Sequence, residues 1–169
     1  MSKKALFLDR DGVINIEKNY LFKIEDFEFI DDIFEVCSYF KNKGFDIFVV
    51  TNQSGIVRGY YTEDDFLILT SWMKKKFKES GIDIKKVYFC PHHPSISGEC
   101  ECRKPKAGML LEAKKEFNID LTKSIIIGDK ESDIEAGINA SLEKTYLYSS
   151  EASTSKATKI ISNLRELIC

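Results

Sequence analysis

The sequence predicts a single α/β domain over residues 1–169, built on a doubly wound, mostly parallel sheet. Three observations predict it. Short apolar runs recur at Lys4–Asp9, Phe45–Val50, Lys85–Cys90 and Ser124–Gly128. Segments of helical period separate them. The residues best equipped for chemistry come directly after the runs: Asp9 and Asp11, Thr51 and Asn52, Cys90, and Asp129. In sheets of this kind ligands bind beyond the carboxyl ends of the strands.

Each element has a local cause. Lys4–Asp9 is apolar until charge stops it, as a buried strand is. Asp31–Lys43 places Ile33, Phe34, Cys37, Tyr39 and Phe40 at helical spacing and ends at Gly44, a glycine stop. Phe45–Val50 is a second buried strand. Thr62 is a candidate N-cap for a helix reaching about Lys78. Val87-Tyr88-Phe89 form the centre of a third strand, and Pro91–Lys106 is a loop of Pro, Gly, Ser and Cys. Ala107–Phe117 is helical, Ile125-Ile126-Ile127 is strand, and Glu131–Gly137 is a short helix. Lys144–Tyr148 is expected at the sheet edge, followed by a Ser/Thr-rich linker and a last helix to about Ile168.

The chain holds 25 basic and 27 acidic residues, a formal net charge of -2. Such a weak acidic balance gives no footprint for nucleic acid or an anionic membrane. An anionic ligand must be held by a local site. The opening Met-Ser-Lys-Lys and the run Ala5–Leu8 are too short for a signal peptide or a span. The expectation is a cytoplasmic monomer acting on a small molecule. In a reducing compartment its cysteines are not expected to pair. Cys37, in a helical pattern, and Cys169, at the end, read as free thiols.

Asp9-Arg10-Asp11-Gly12 carries two carboxylates two residues apart on extended backbone, so both point to one side. A carboxylate attacks a phosphoryl group only if a cation screens the repulsion, and Mg2+ with oxygen ligands does so. One carboxylate can then be the nucleophile and the other the general acid and base. Gly12 permits a tight turn. Thr51 and Asn52 offer a hydroxyl and an amide to phosphate oxygens. Arg103 and Lys104 precede Pro105, which favours extended backbone. Their side chains then diverge, one toward a reacting phosphoryl group and one toward a second anion. Asp129, after a strand, can complete a magnesium site. Each cluster alone fits an ordinary turn; it is their order and placement together that is specific.

Cys90-Pro91-His92 and Cys100-Glu101-Cys102 bracket a loop poor in large apolar residues. Residues i and i+2 on extended backbone face one side, so the two pairs can close a tetrahedron of Cys90, His92, Cys100 and Cys102. Three thiolates and an imidazole suit Zn2+, and four protein ligands make the site structural. His93 is the competing imidazole; spacing favours His92.

The four clusters resemble the motifs of the haloacid dehalogenase (HAD) superfamily, whose fold is Rossmann-like. The resemblance implies Asp9 as nucleophile and Asp11 as general acid and base, with Thr51 and Lys104 on the phosphoryl group. It implies Mg2+ on the Asp9 carboxylate, the Asp11 carbonyl and the Asp129 carboxylate, with Asp133 one layer out. From Leu6 to about Gly137, and above all in the cysteine loop and in Thr51–Tyr60, the chain resembles the heptose-bisphosphate phosphatases. That resemblance implies a sugar bisphosphate substrate in nucleotide-activated heptose synthesis for bacterial surface polysaccharide. Arg103 would then grip the remote phosphate, and Asn52, Gln53 and Arg58 would contact the sugar. The spacing of the motifs leaves no room for a cap domain. Two rival readings are a histidinol-phosphatase or another small phosphomonoesterase, and a zinc-stabilised module that binds phosphate without turnover.

Overall fold

A computed structural model describes residues 2–168; Cys169, expected as a free thiol, lies outside them. Six strands form one sheet: β1 (Lys4–Leu8), β2 (Phe45–Asn52), β3 (Ile84–Cys90), β4 (Ile125–Gly128), β5 (Lys144–Tyr148) and β6 (Lys159–Ile161). Their order is β3-β2-β1-β4-β5-β6, and every pairing is parallel. The helices are α1 (Ile33–Asn42), α2 (Glu63–Glu79), the single turn α3 (Pro94–Ser97), α4 (Gly108–Phe117) and α5 (Glu131–Asn139). The strand order reverses between β1 and β4, and there the crevice for a ligand opens.

Strand alternation explains why both sheet faces are covered. Leu6 and Leu8 of β1 pack with Ile33, Val36 and Phe40 of α1 and with Leu69, Met73 and Phe77 of α2. Ala5 and Phe7 turn the other way, onto Met109, Leu110 and Ala113 of α4 and Ala136 of α5. A strand buried on both faces reads as a continuous apolar run, which is why it was visible. Thr62 caps α2 as expected, its hydroxyl accepting from Asp65 N at 3.0 Å while Asp65 accepts from Thr62 N at 2.9 Å.

Two expectations fail near the end of the chain. Lys144–Tyr148 is not the edge, because β6 pairs outside it. The last helix is a 3-10 turn, Leu164–Leu167, capped by Asn163 and Glu166. Leu164 and Leu167 are three residues apart and both reach the core; that spacing fits one 3-10 turn as well as a helix. Among the described residues no helix is long and apolar enough to cross a membrane.

Phe77 is fully buried and packs against Phe29 and Phe34 with ring centroids 5.9 and 4.9 Å away. Phe77→Ala should cost about 3–5 kcal/mol in urea unfolding. Because the residue is remote from the strand ends, turnover by the folded fraction should be preserved.

Candidate active site

Asp9 leaves β1 with its N–H on Ile127 O at 3.1 Å, so the first and fourth strands present their next residues side by side. The chain then turns tightly: the N–H groups of Val13, Ile14 and Asn15 all donate to Arg10 O. Gly12 has φ +89°, and a Cβ there would lie 2.1 Å from Asp129 Oδ2. Glycine is thus required twice over, for conformation and for the approach of Asp129. A Cβ on Gly128 would in turn lie 2.2 Å from Asp133 Cβ.

Lys104 is buried, and its Nζ lies 3.1 Å from Asp9 Oδ1, 2.6 Å from Asp133 Oδ1 and 2.8 Å from Val50 O. Asp133 Oδ2 accepts from the N–H groups of Asp129 and Lys130, each at 3.1 Å. Asp133 thus accepts from Lys104 and from two backbone N–H groups. Carboxylate oxygens of Asp9, Asp129 and Asp133 lie within 4.8 Å of one another. Asp129 Oδ1 is buried with no hydrogen-bond partner among the described residues.

The Asp11 carboxylate is held by three side chains. Arg10 Nη2 reaches its oxygens at 3.0 and 3.1 Å, Asn15 Nδ2 at 3.0 Å and Gln53 Nε2 at 3.1 Å. Arg10 is itself buried and also donates to Leu21 O. Four carboxylates, Asp9, Asp11, Asp129 and Asp133, therefore gather here with the cations Arg10, Lys104 and, beside Asp129, Lys130. Burial raises the Asp9 carboxyl well above the usual range; Asp133, Asp129 and Asp11 add to the rise, and Lys104 opposes it. Asp129 is raised as well, chiefly by burial. Burial works against the charge on Lys104, but Asp133 and Asp9 outweigh it and hold its pKa up. The cluster of carboxylate oxygens, one of them orphaned, fits a divalent cation of oxygen preference, Mg2+.

The expected substrate residues divide. Asn52 and Gln53 border the cavity but their amides are engaged elsewhere. Asn52 clamps the backbone of Lys104, accepting from its N–H at 3.1 Å and donating to its carbonyl at 3.2 Å. Gln53 is buried and serves Asp11 and Thr51. Thr51 Oγ1 accepts from Gln53 at 2.9 Å and donates to Asn52 O over a long 3.5 Å. Arg58 and Arg103 line the same cavity of about 630 Å³ as Asp9 and Lys104. The Arg58 guanidinium lies 5.8 Å from the Tyr20 ring, and Arg103 Nη1 donates to His92 O at 3.3 Å. Arg10, Asn15 and Tyr61 had not been singled out in the sequence. An arginine between two aspartates, and an amide one turn after Asp11, were the available clues.

The cysteine loop converges as expected. The sulfurs of Cys90 and Cys102 are in contact, with Cα atoms 5.5 Å apart, and the Cys100 sulfur is 3.6 Å from each. The three lie within 4.8 Å of one another, a set whose chemistry as thiolates fits Zn2+. The His92 ring is not part of that cluster, and His93 Nδ1 accepts from Ser95 N at 3.2 Å at the start of α3. Cys37 is a buried free thiol, as expected.

A parallel sheet with this carboxylate set and a buried lysine at its switch point defines a hydrolase of the HAD-like class. The HAD-hydrolase-like family profile matches residues 101–167. The D-glycero-alpha-D-manno-heptose-1,7-bisphosphate 7-phosphatase of Campylobacter jejuni is 53% identical over 168 residues, which cover 99% of this chain and 95% of that one. The D-glycero-beta-D-manno-heptose-1,7-bisphosphate 7-phosphatase of Haemophilus influenzae is 49% identical over 148 residues, 85% of this chain and 80% of that one. A D,D-heptose 1,7-bisphosphate phosphatase from B. bronchiseptica, solved with magnesium and phosphate, has the same fold, with TM-score 0.83 at 24% identity over 95% of this chain and 93% of that one. The chain belongs to the heptose-1,7-bisphosphate 7-phosphatase family of HAD-like phosphatases.

The raised Asp9 and Asp129 carboxyls give a signed expectation. The folded apoprotein keeps protons that the unfolded chain loses from about pH 4 upward, so its stability declines as pH rises through the folded-state values. Mg2+ binds the ionised forms, so its stabilising effect should be larger near pH 8 than near pH 5. Thermal melting with and without Mg2+ checks this, and Gly12→Ala should abolish the Mg2+ effect at both pH values.

Proposed function

We propose that the chain removes the 7-phosphate of D-glycero-D-manno-heptose 1,7-bisphosphate through an aspartyl-phosphate on Asp9. Asp9 attacks phosphorus in line while Asp11 protonates the departing sugar oxygen. Asp11 then deprotonates the water that hydrolyses the aspartyl-phosphate. Thr51, whose hydroxyl makes only a long bond to Asn52 O, would turn it to a phosphoryl oxygen, and Lys104 neutralises developing charge. Mg2+, held by the Asp9 carboxylate, the Asp11 carbonyl and the Asp129 carboxylate, would screen the repulsion between nucleophile and phosphate. Zn2+ on Cys90, Cys100, Cys102 and His92 in the reduced protein would fix the loop that carries Arg103 and Lys104. Arg58 borders the sugar. The product would feed nucleotide-activated heptose for surface polysaccharide, in the cytoplasm.

One observation carries the bisphosphate reading. Lys104 is already matched by Asp9 and Asp133, yet Arg103 and Arg58 line the same cavity with no carboxylate bonded to either among the described residues. These cations suit a second anionic group on the substrate. A histidinol phosphate has no such group.

The test is a substrate panel of both heptose 1,7-bisphosphate anomers, histidinol phosphate and a sugar monophosphate, on the unmodified chain and on Arg103→Ala. A charge-assisted contact of about 1.5–3 kcal/mol predicts that Arg103→Ala lowers kcat/KM for a bisphosphate about ten- to a hundredfold. The monophosphate should be nearly unaffected. Equal losses on both would remove the remote-phosphate role, and preference for histidinol phosphate would overturn the substrate reading.

A further inference from the structure

Tyr61 stands at the far end of the loop joining β2 to α2, yet its hydroxyl returns to the end of β2 and donates to Gln53 Oε1. The return is built in. A Cβ on Gly55 would lie 2.2 Å from Tyr61 Cε1, so the ring lies against bare backbone. Phe22 stacks on the ring at 5.4 Å with planes 14° apart. Tyr61 is buried, and burial pushes its phenol up to about 12, so it remains an O–H donor at any working pH.

A fixed donor on Oε1 determines which way the Gln53 amide faces. Its NH2 group must point to Asp11 Oδ2 at 3.1 Å and Thr51 Oγ1 at 2.9 Å. Both N–H bonds are then used, and neither remains for a sugar hydroxyl. Arg10 and Asn15 also hold Asp11, but they come from its own turn. Gln53 is the hydrogen-bonding side chain that ties Asp11 to β2, the strand that also supplies Thr51.

We propose that Gln53, locked in one orientation by Tyr61, is a positioning residue that aims the Asp11 carboxyl for proton transfer to the leaving oxygen. It is not a substrate contact. The loop from Gln53 through Gly55 to Tyr61 is then one functional unit, in which the glycine admits the ring and the ring orients the amide. The proposal rests on the reading of Asp11 as general acid.

The test compares leaving groups on the magnesium-loaded enzyme. Phenyl phosphate needs a proton on its leaving oxygen far more than 4-nitrophenyl phosphate does. Neither carries a sugar or a second phosphate, so failure of the heptose reading would leave the comparison intact. Rapid mixing gives first-turnover rates, and steady-state assays give KM. Misaimed general acids lose about ten- to a hundredfold. Tyr61→Phe should slow phenyl phosphate by about tenfold and 4-nitrophenyl phosphate by less than about threefold, with KM within about twofold for both. Gln53→Glu, which sets a carboxylate where the amide donated, should show the same selectivity more strongly, and it carries the test if Tyr61→Phe does not fold. A rise in KM with the first-turnover rate intact would make Gln53 a substrate contact and overturn the proposal. Equal slowing of both esters would overturn it too.

Discussion

The buried Lys104 ammonium, set between Asp9 and Asp133 and against the Val50 carbonyl, is the interaction on which the rest of the site depends. A lone ammonium at 4% exposure would be strongly destabilising, and so would either carboxylate without it. Each partner therefore dictates a piece of architecture. Asp9 needs β1 to end where it does. Asp133 needs the first turn of α5, where two backbone N–H groups and the helix dipole hold its other oxygen. Val50 and the Asn52 clamp need β2 to run alongside. Three crossover units, remote in sequence, are thus locked at one point, beside the carboxylate oxygens that would hold a divalent cation.

The cysteine loop is tied to the same point from two directions. Cys90 ends β3, and its carbonyl accepts from Gln53 N at 2.7 Å, which steadies the residue that holds Asp11 and Thr51. Cys102 immediately precedes Arg103 and Lys104. A displacement of the loop would move an ammonium that has three partners within 3.1 Å. Errors of about 1 Å at such a point can cost on the order of a hundredfold in rate. The loop is therefore coupled to the chemistry although it contributes no reacting group.

Much of this was legible in the sequence, for physical reasons. Strands buried on both faces are apolar runs with abrupt ends, so β1 and β4 were visible and so were the residues they deliver, Asp9 and Asp129. The end of the chain was less so, because β6 has only three residues and the Leu164–Leu167 spacing suits more than one helical form. Within the site, residue type revealed chemistry but not direction. Asn52 and Gln53 are amides at a strand end and look alike whether they face a ligand or the protein. Their partners, Lys104 and Asp11, lie 52 and 42 residues away, and only the fold brings them together. Arg10 stands between two acids, and only its burial shows it to be the counterion of Asp11. The sulfur cluster was legible from spacing alone.

The central claim is that Asp9, poised by Lys104, carries the phosphoryl group between the two half-reactions. The most direct measurement is chemical trapping: enzyme mixed with substrate and Mg2+, quenched in acid within the first turnover, reduced with borohydride and sequenced by mass spectrometry. Reduction of an aspartyl-phosphate converts the residue to homoserine. The account predicts homoserine at position 9 and nowhere else. Homoserine at Asp11 or Asp129, or complete turnover with no reducible intermediate at position 9, would contradict it.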